Sequence, residues 1–381
     1  MLKLRFSYLF RLILPVMLAG AVVSSCSRHS KVTMLQEIQL GATGVKTKAL
    51  VTTQQSLIDL SVDNHTGFGV YGHKTISTKS YDYRQFNNVP VYPSGKTNTT
   101  WTYSPKRYWD SDPAATYQFA AYWPYLDNVQ PQAGGAYVSE ADKILTINDI
   151  PNWQEENTGN DYLVATKRGP YRDASGNQTD VFPNNSVNFS FSHILANVVV
   201  RGYYIGIKEN HVNVLGMELG GTNMLTTDGS ADYTLPFAGQ TNISEGFGNT
   251  VTTGNGTHTL LATTSPAVTL PETSWYNDSV NNPNQYETWP ICSWFVVPST
   301  GWQGLTLDVT YSLGDINQTP APIAIDAAPV TNIALSNGTT LPQYKYIITL
   351  KFNSASNGVE IESVQVADWN TMEIGTEVYN W

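Results

Sequence analysis

The side chains able to do chemistry are few and scattered. The histidines, His29, His65, His73, His193, His211 and His258, show no metal-ligand spacing. No GxSxG, HExxH, P-loop or GxGxxG pattern occurs. Glu155-Glu156 is the sort of acidic pair a glycosidase would use, and equally the sort found on a solvated face. His193 lies on the apolar-patterned face of an alternating run, which suits a packed, hydrogen-bonded histidine. Cys292 sits alone in TWPICSWFVV and reads as a small buried hydrophobe. We therefore expect no catalytic residue, no metal and no cofactor.

The second cysteine, Cys26, has a different setting. Residues 1–25 carry Lys3, Arg5 and Arg11, then an apolar stretch from Leu12 to Val23. That stretch is too short to span a bilayer, which needs ~20 apolar residues, and it predicts a signal peptide. Val23-Ser24-Ser25-Cys26 resembles a bacterial lipobox. In that class the cysteine becomes the first mature residue and carries acyl chains, palmitate among them, that hold the protein to a membrane. Ser27 after the cysteine favours the outer membrane by the same resemblance.

Beyond Cys26, Ile38, Leu40 and Ala42 share one face at period 2, so Glu37–Ala42 predicts a strand. Gly44, Lys46 and Lys48 follow it, a pattern that also fits an ordinary exposed loop.

The rest of the chain must position these features, and it reads as β throughout. It has 381 residues, enough for two domains. Aromatics are 12%, charged residues only 14%, with Gly 29 and Pro 20. Runs of strong helix formers are missing. Alternation is clean at Leu57–Val62, Val187–His193, Leu305–Leu313 and Tyr344–Phe352, and Asn357-Gly358 marks a hairpin turn. Residues 217–257, rich in Gly, Thr, Asn and Ser, predict loops. The block Trp101–Tyr125 suits either a sandwich core or a sugar-stacking platform. Net charge is −10. Without the three leader cations, 18 basic residues face 31 acidic ones, a net charge of −13 that repels nucleic acid.

The ordered series FNNV (86–89), WTYSPKRYW (101–109), FAAYWPY (119–125), DYLVA (161–165), VNFSFSHILANVVV (187–200), YKYIITL (344–350) and VADW (366–369) resembles the fimbrillins of Bacteroidetes. The resemblance spans nearly the whole chain. It implies an all-β fold of two tandem transthyretin-like β-sandwich domains, here 49–185 and 186–381, after a signal peptide (1–25) and a lipidated leader (26–48). It further implies a fimbrial subunit exported as an outer-membrane lipoprotein, whose partners are other fimbrial subunits and a trypsin-like maturation protease. Cleavage would fall at Lys48-Ala49, or at Lys46, and would remove the strand bearing Ile38, Leu40 and Ala42. The family more often has Arg where Lys48 stands. The bared groove would accept a donor strand, for which the C-terminal stretch 370–381 is the candidate, with Met372, Ile374 and Val378 on one face. A lipid-anchored surface protein that binds glycans or host ligands without polymerising is the alternative.

Overall fold

A computed structural model describes residues 37–45, 66–79, 81–95, 100–110, 112, 114–127, 134–139, 143–169, 186–239, 243–248, 253–276, 287–300, 302–315, 317, 322–326, 330–331, 340, 342–356 and 358–368. The expectations for residues 1–35, Leu57–Val62 and the C-terminal stretch lie outside them.

The described chain is all β. Its strands are β1 (Gln39–Val45), β2 (Phe68–Ile76), β3 (Tyr81–Pro93), β4 (Trp101–Thr102), β5 (Ala115–Trp123), β6 (Ala136–Ser139), β7 (Ile144–Pro151) and β8 (Trp153–Glu155). Then come β9 (Leu163–Gly169), β10 (Ser186–His193), β11 (Ala196–Ile205), β12 (Val212–Leu225), β13 (Ser230–Pro236), β14 (Thr253–Leu261), β15 (Val268–Thr269) and β16 (Trp275–Tyr276). The last are β17 (Trp289–Val296), β18 (Gln303–Leu313), β19 (Ile325–Asp326), β20 (Val330–Thr331), β21 (Tyr344–Asn353) and β22 (Gly358–Asp368). No described helix is long and apolar enough to cross a membrane.

Strands β1-β10-β9-β5-β2-β3-β4 form a seven-stranded sheet in that order. Its first member, β1, runs parallel to β10, while the rest of the sheet is antiparallel. One face of this sheet packs into a core of Ile38, Leu40, Phe68, Phe86, Phe119, Phe189 and Phe191 with their neighbours. On the other face Tyr71, Ala120, Tyr122 and Val164 join a second, larger core. The central strand β5 is thus covered on both sides, which is why FAAYWPY is a continuous apolar run rather than an alternation.

The larger core is built by a sheet in the order β22-β21-β11-β17-β8, a sheet in the order β14-β12-β18-β19, and the small sheet β13-β7-β6. The hairpin signalled by Asn357-Gly358 is present, with β21 paired to β22 from Tyr344–Asp368 to Asn353–Gly358. The expectation of loops over 217–257 is overturned, because β12, β13 and part of β14 occupy much of that stretch. Among the described strands the chain passes between the two sheet systems from β5 to β6, from β8 to β9, and from β10 to β11 at Ile194-Leu195.

Candidate functional site

β1 folds as its alternation dictates. Ile38, Leu40 and Ala42 are 0%, 4% and 1% exposed, while Gln39 faces solvent. Their pocket is lined by aromatic rings. Phe68 lies 5.0 Å from Trp101, 5.8 Å from Phe189 and 5.4 Å from Phe191, centroid to centroid. Along the ladder, Leu40 pairs with Val187, Gly41 with Asn188 and Ala42 with Phe189. The register then shifts, so that Gly44 meets Ser190 and Val45 meets Phe191, leaving Thr43 as a bulged extra residue.

The other edge of β1 is also held. The Ile38 N–H donates to the Arg107 carbonyl at 2.9 Å, and Glu37 bridges to Tyr108. The Tyr103 hydroxyl donates to the Ile38 carbonyl at 2.5 Å. Burial pushes that phenol up to about 12, so it remains a donor across the neutral range. Lys106 Nζ lies 2.8 Å from the Glu37 carboxylate and 4.9 Å from the Tyr103 ring centre. This lip is fixed to β3 through Gln85, whose amide donates to the Tyr108 carbonyl and whose own carbonyl accepts from Arg107 Nε. β1 therefore seats between β10 and the segment that follows β4, and it closes the sheet over the smaller core.

Magnitudes favour treating β1 as a stabilising plug. Burying Ile38 and Leu40 is worth roughly 1.5–3 kcal/mol each. Each net ladder hydrogen bond adds about 1 kcal/mol. The total is several kcal/mol, a large fraction of the roughly 5–15 kcal/mol that holds a domain. Without β1 the chain would present an apolar groove with an unpaired β10 edge, a template for another strand.

Of the residues expected to act here, the structure brings together Ile38, Leu40 and Ala42 in one groove. Cys26, Lys46, Lys48, Ala49, Met372, Ile374 and Val378 lie outside the described residues; β1 ends at Val45, one position before Lys46. The lip residues Tyr103, Lys106 and Arg107 were visible only as part of an aromatic block. Most of that block is interior: Trp101, Tyr103, Trp109, Tyr117, Phe119, Tyr122 and Trp123 are buried, which removes the stacking platform, while Tyr108 is exposed.

The remaining reactive groups are mostly packed, with Cys292 half-buried. His193 Nδ1 lies 2.6 Å from Asp161 Oδ1, both buried, so the histidine has a partner that local pattern did not reveal. Burial raises the Asp161 carboxyl above its ordinary value. Burial also pushes the Cys292 thiol up to about 12, leaving it no thiolate character at neutral pH. Glu155 is exposed at the end of β8. His258 stacks on Trp153 at 4.1 Å and meets Trp294 edge-on at 4.6 Å, and burial pushes its imidazole down to about 4. Among the described residues no group of three or more His, Cys, Asp or Glu could hold a metal ion. A depression of about 480 Å³ lies between Met224–Gly229 and Gly254–Thr257.

Among the described residues the chain is all β, and its first described strand closes a sheet over an aromatic groove. A fimbrillin-like family model matches residues 47–369, most of the chain, and the chain belongs to that family. Three solved structures are similar. The crystal structure of a fimbrial protein from Bacteroides vulgatus is 16% identical, with a TM-score of 0.53 over 88% of this chain and 99% of that one. A cell adhesion protein from Bacteroides uniformis is 16% identical, with a TM-score of 0.46 over 88% and 98%. The tip fimbrial protein Mfa3 from Porphyromonas gingivalis, with a C-terminal truncation, is 10% identical, with a TM-score of 0.32 over 80% and 94%. The first shares the fold. No curated protein matches the chain.

Proposed function

We propose that this protein is a structural, non-enzymatic subunit of a cell-surface fimbria, assembled by exchange of β1 for a strand of another subunit and supporting adhesion. The observation that carries this reading is the seat of β1: a short strand that fills an aromatic groove and is followed in sequence by Lys46 and Lys48. Family membership supports it. In this reading the precursor is exported under its signal peptide and lipidated at Cys26, which takes it to the outer membrane. A trypsin-like protease then cuts at Lys48-Ala49, or at Lys46, and frees residues 26–48. The opened groove accepts the C-terminal stretch of a neighbour, with Met372, Ile374 and Val378 as its apolar face. The chain is then read as a tandem of two transthyretin-like sandwiches, 49–185 and 186–381, as the family resemblance implies.

The test is limited digestion of the purified precursor with a trypsin-like protease, with and without residues 370–381. A discrete cut between Val45 and Leu50, followed by tail-dependent oligomers, is the expected result. An intact Lys46–Leu50 segment, or assembly that survives deletion of the tail, would overturn the stalk reading. A permanently retained β1 would instead make the protein a lipid-anchored base subunit or a surface binder.

A further inference from the structure

The groove of β1 is specific in its side-chain order, and the same chain carries a second segment of that order. Ile38-Gln39-Leu40-Gly41-Ala42 places two large apolar residues inward, then a glycine, then a small residue. Met372-Glu373-Ile374-Gly375-Thr376 repeats this order position by position. The two segments part at Thr43, the bulged residue. With Thr43 set aside, Glu377 and Val378 fall beside Gly44 and Val45, opposite Ser190 and Phe191.

We propose that Met372–Val378 of a second copy of this chain lies in the β1 groove, parallel to β10, in this one register. Glu373 sits opposite Ser186, Ile374 opposite Val187, Gly375 opposite Asn188, Thr376 opposite Phe189 and Val378 opposite Phe191. The proposal rests on the assembly reading above and adds to it the strand direction, the register and a reason for the exchange.

Three features of the groove fix the register. The Gly41 position is close-fitting: a Cβ there would lie 2.7 Å from Asn188 Oδ1, the end of a half-buried side chain that would have to turn aside, and 3.7 Å from Trp101. Gly375 fits without that shift. A slip by one residue turns Glu373, Gly375 and Glu377 toward the core, where a carboxylate is costly. A slip by two restores the faces but puts Glu377 at the Gly41 position and Thr376 at that of Leu40. In the proposed register, Glu373 takes the solvent-facing place of Gln39. Ile374 matches Leu40 in volume, and the flexible Met372 adapts to the Ile38 site.

The reason for exchange is the bulge. β1 interrupts its ladder at Thr43, whereas Met372–Val378 spans the same partners with one residue per position. The incoming strand makes the more regular ladder, so it displaces a cut β1 downhill. Thr376 is the one misfit, since it adds a hydroxyl where Ala42 is 1% exposed.

Two measurements test this, both on chains carrying Cys26→Ser. In the first, residues 38–45 of the full chain are replaced by Met-Glu-Ile-Gly-Thr-Glu-Val. The expected result is a cooperative thermal transition at or above that of the parent. A transplant slipped by one residue, Glu-Ile-Gly-Thr-Glu-Val-Tyr, should melt well below the parent. If both transplants melt alike, the register is wrong. In the second, protease-cut chains with Val187→Cys are mixed with chains bearing one added cysteine at a position from 372 to 378, all of them also Cys292→Ala. A disulfide-linked dimer should form with Ile374→Cys and not with Glu373→Cys or Gly375→Cys. Linkage through another tail residue would overturn the register while leaving the tail as donor. No linkage through any tail residue would overturn both the register and the assembly reading.

Discussion

Tyr103 shows how one side chain holds a strand in place. Its hydroxyl is the donor for the Ile38 carbonyl, at the end of β1 farthest from Lys48. Tyr103→Phe keeps the ring and removes that donor. We expect a loss of about 1 kcal/mol in urea unfolding, with little change in slope. His258 makes a second prediction at this scale. Its folded value of about 4 lies below the ordinary 6.5. A group whose affinity for protons falls on folding stabilises the fold above its unfolded value, and that contribution is lost as pH falls toward the folded one. Stability should therefore decline between pH 6.5 and 4, by at most about 3.5 kcal/mol at roughly 1.4 kcal/mol per unit. Stacking on Trp153 offsets part of this by favouring the charged ring. His258→Phe should flatten the decline in that window, and an unchanged pH profile would show that the buried ring does not titrate with unfolding.

At the scale of elements, β1 is the strand whose inward residues close the smaller core. Leu40→Ala should destabilise the uncut chain by roughly 2–5 kcal/mol, because it leaves a void in the smaller core beside Val187. Gln39→Ala, on the exposed face, should stay within about 0.5 kcal/mol. Thermal melts of the pair would separate a seated strand from a loosely laid one. The same element marks what sequence can and cannot reveal. The alternation of Ile38, Leu40 and Ala42 was readable locally, and so was the β21–β22 hairpin. The parallel pairing of β1 with β10 was not, because nothing local links residues so far apart in the chain. Residues 217–257 misled for another reason. Their glycines look like turns, yet Gly221 lies within β12, where a Cβ would come 2.7 Å from the Leu305 side chain. There glycine serves close packing rather than chain reversal. Asp161 and His193 likewise meet only after β9 and β10 pair.

For the whole molecule, the two cores divide the labour. The larger core holds most of the sheets and includes one face of the seven-stranded sheet, so that sheet has support on its other side. The larger core should therefore keep its order when β1 is removed, while the smaller core is the one exposed. Hydrogen exchange before and after cleavage should show new exchange in β10 and in Tyr103–Trp109, with β11 and β21 unchanged. Loss of protection across β11 and β21 would mean that β1 supports the entire chain and cannot be a removable plug.

The most direct test of the assembly reading is the N-terminus of the protein taken from the cell surface, read by mass spectrometry of intact material. A polymerised subunit should begin at Ala49, with residues 26–48 gone. Surface material that still begins at a lipidated Cys26 and still contains β1 would contradict strand exchange.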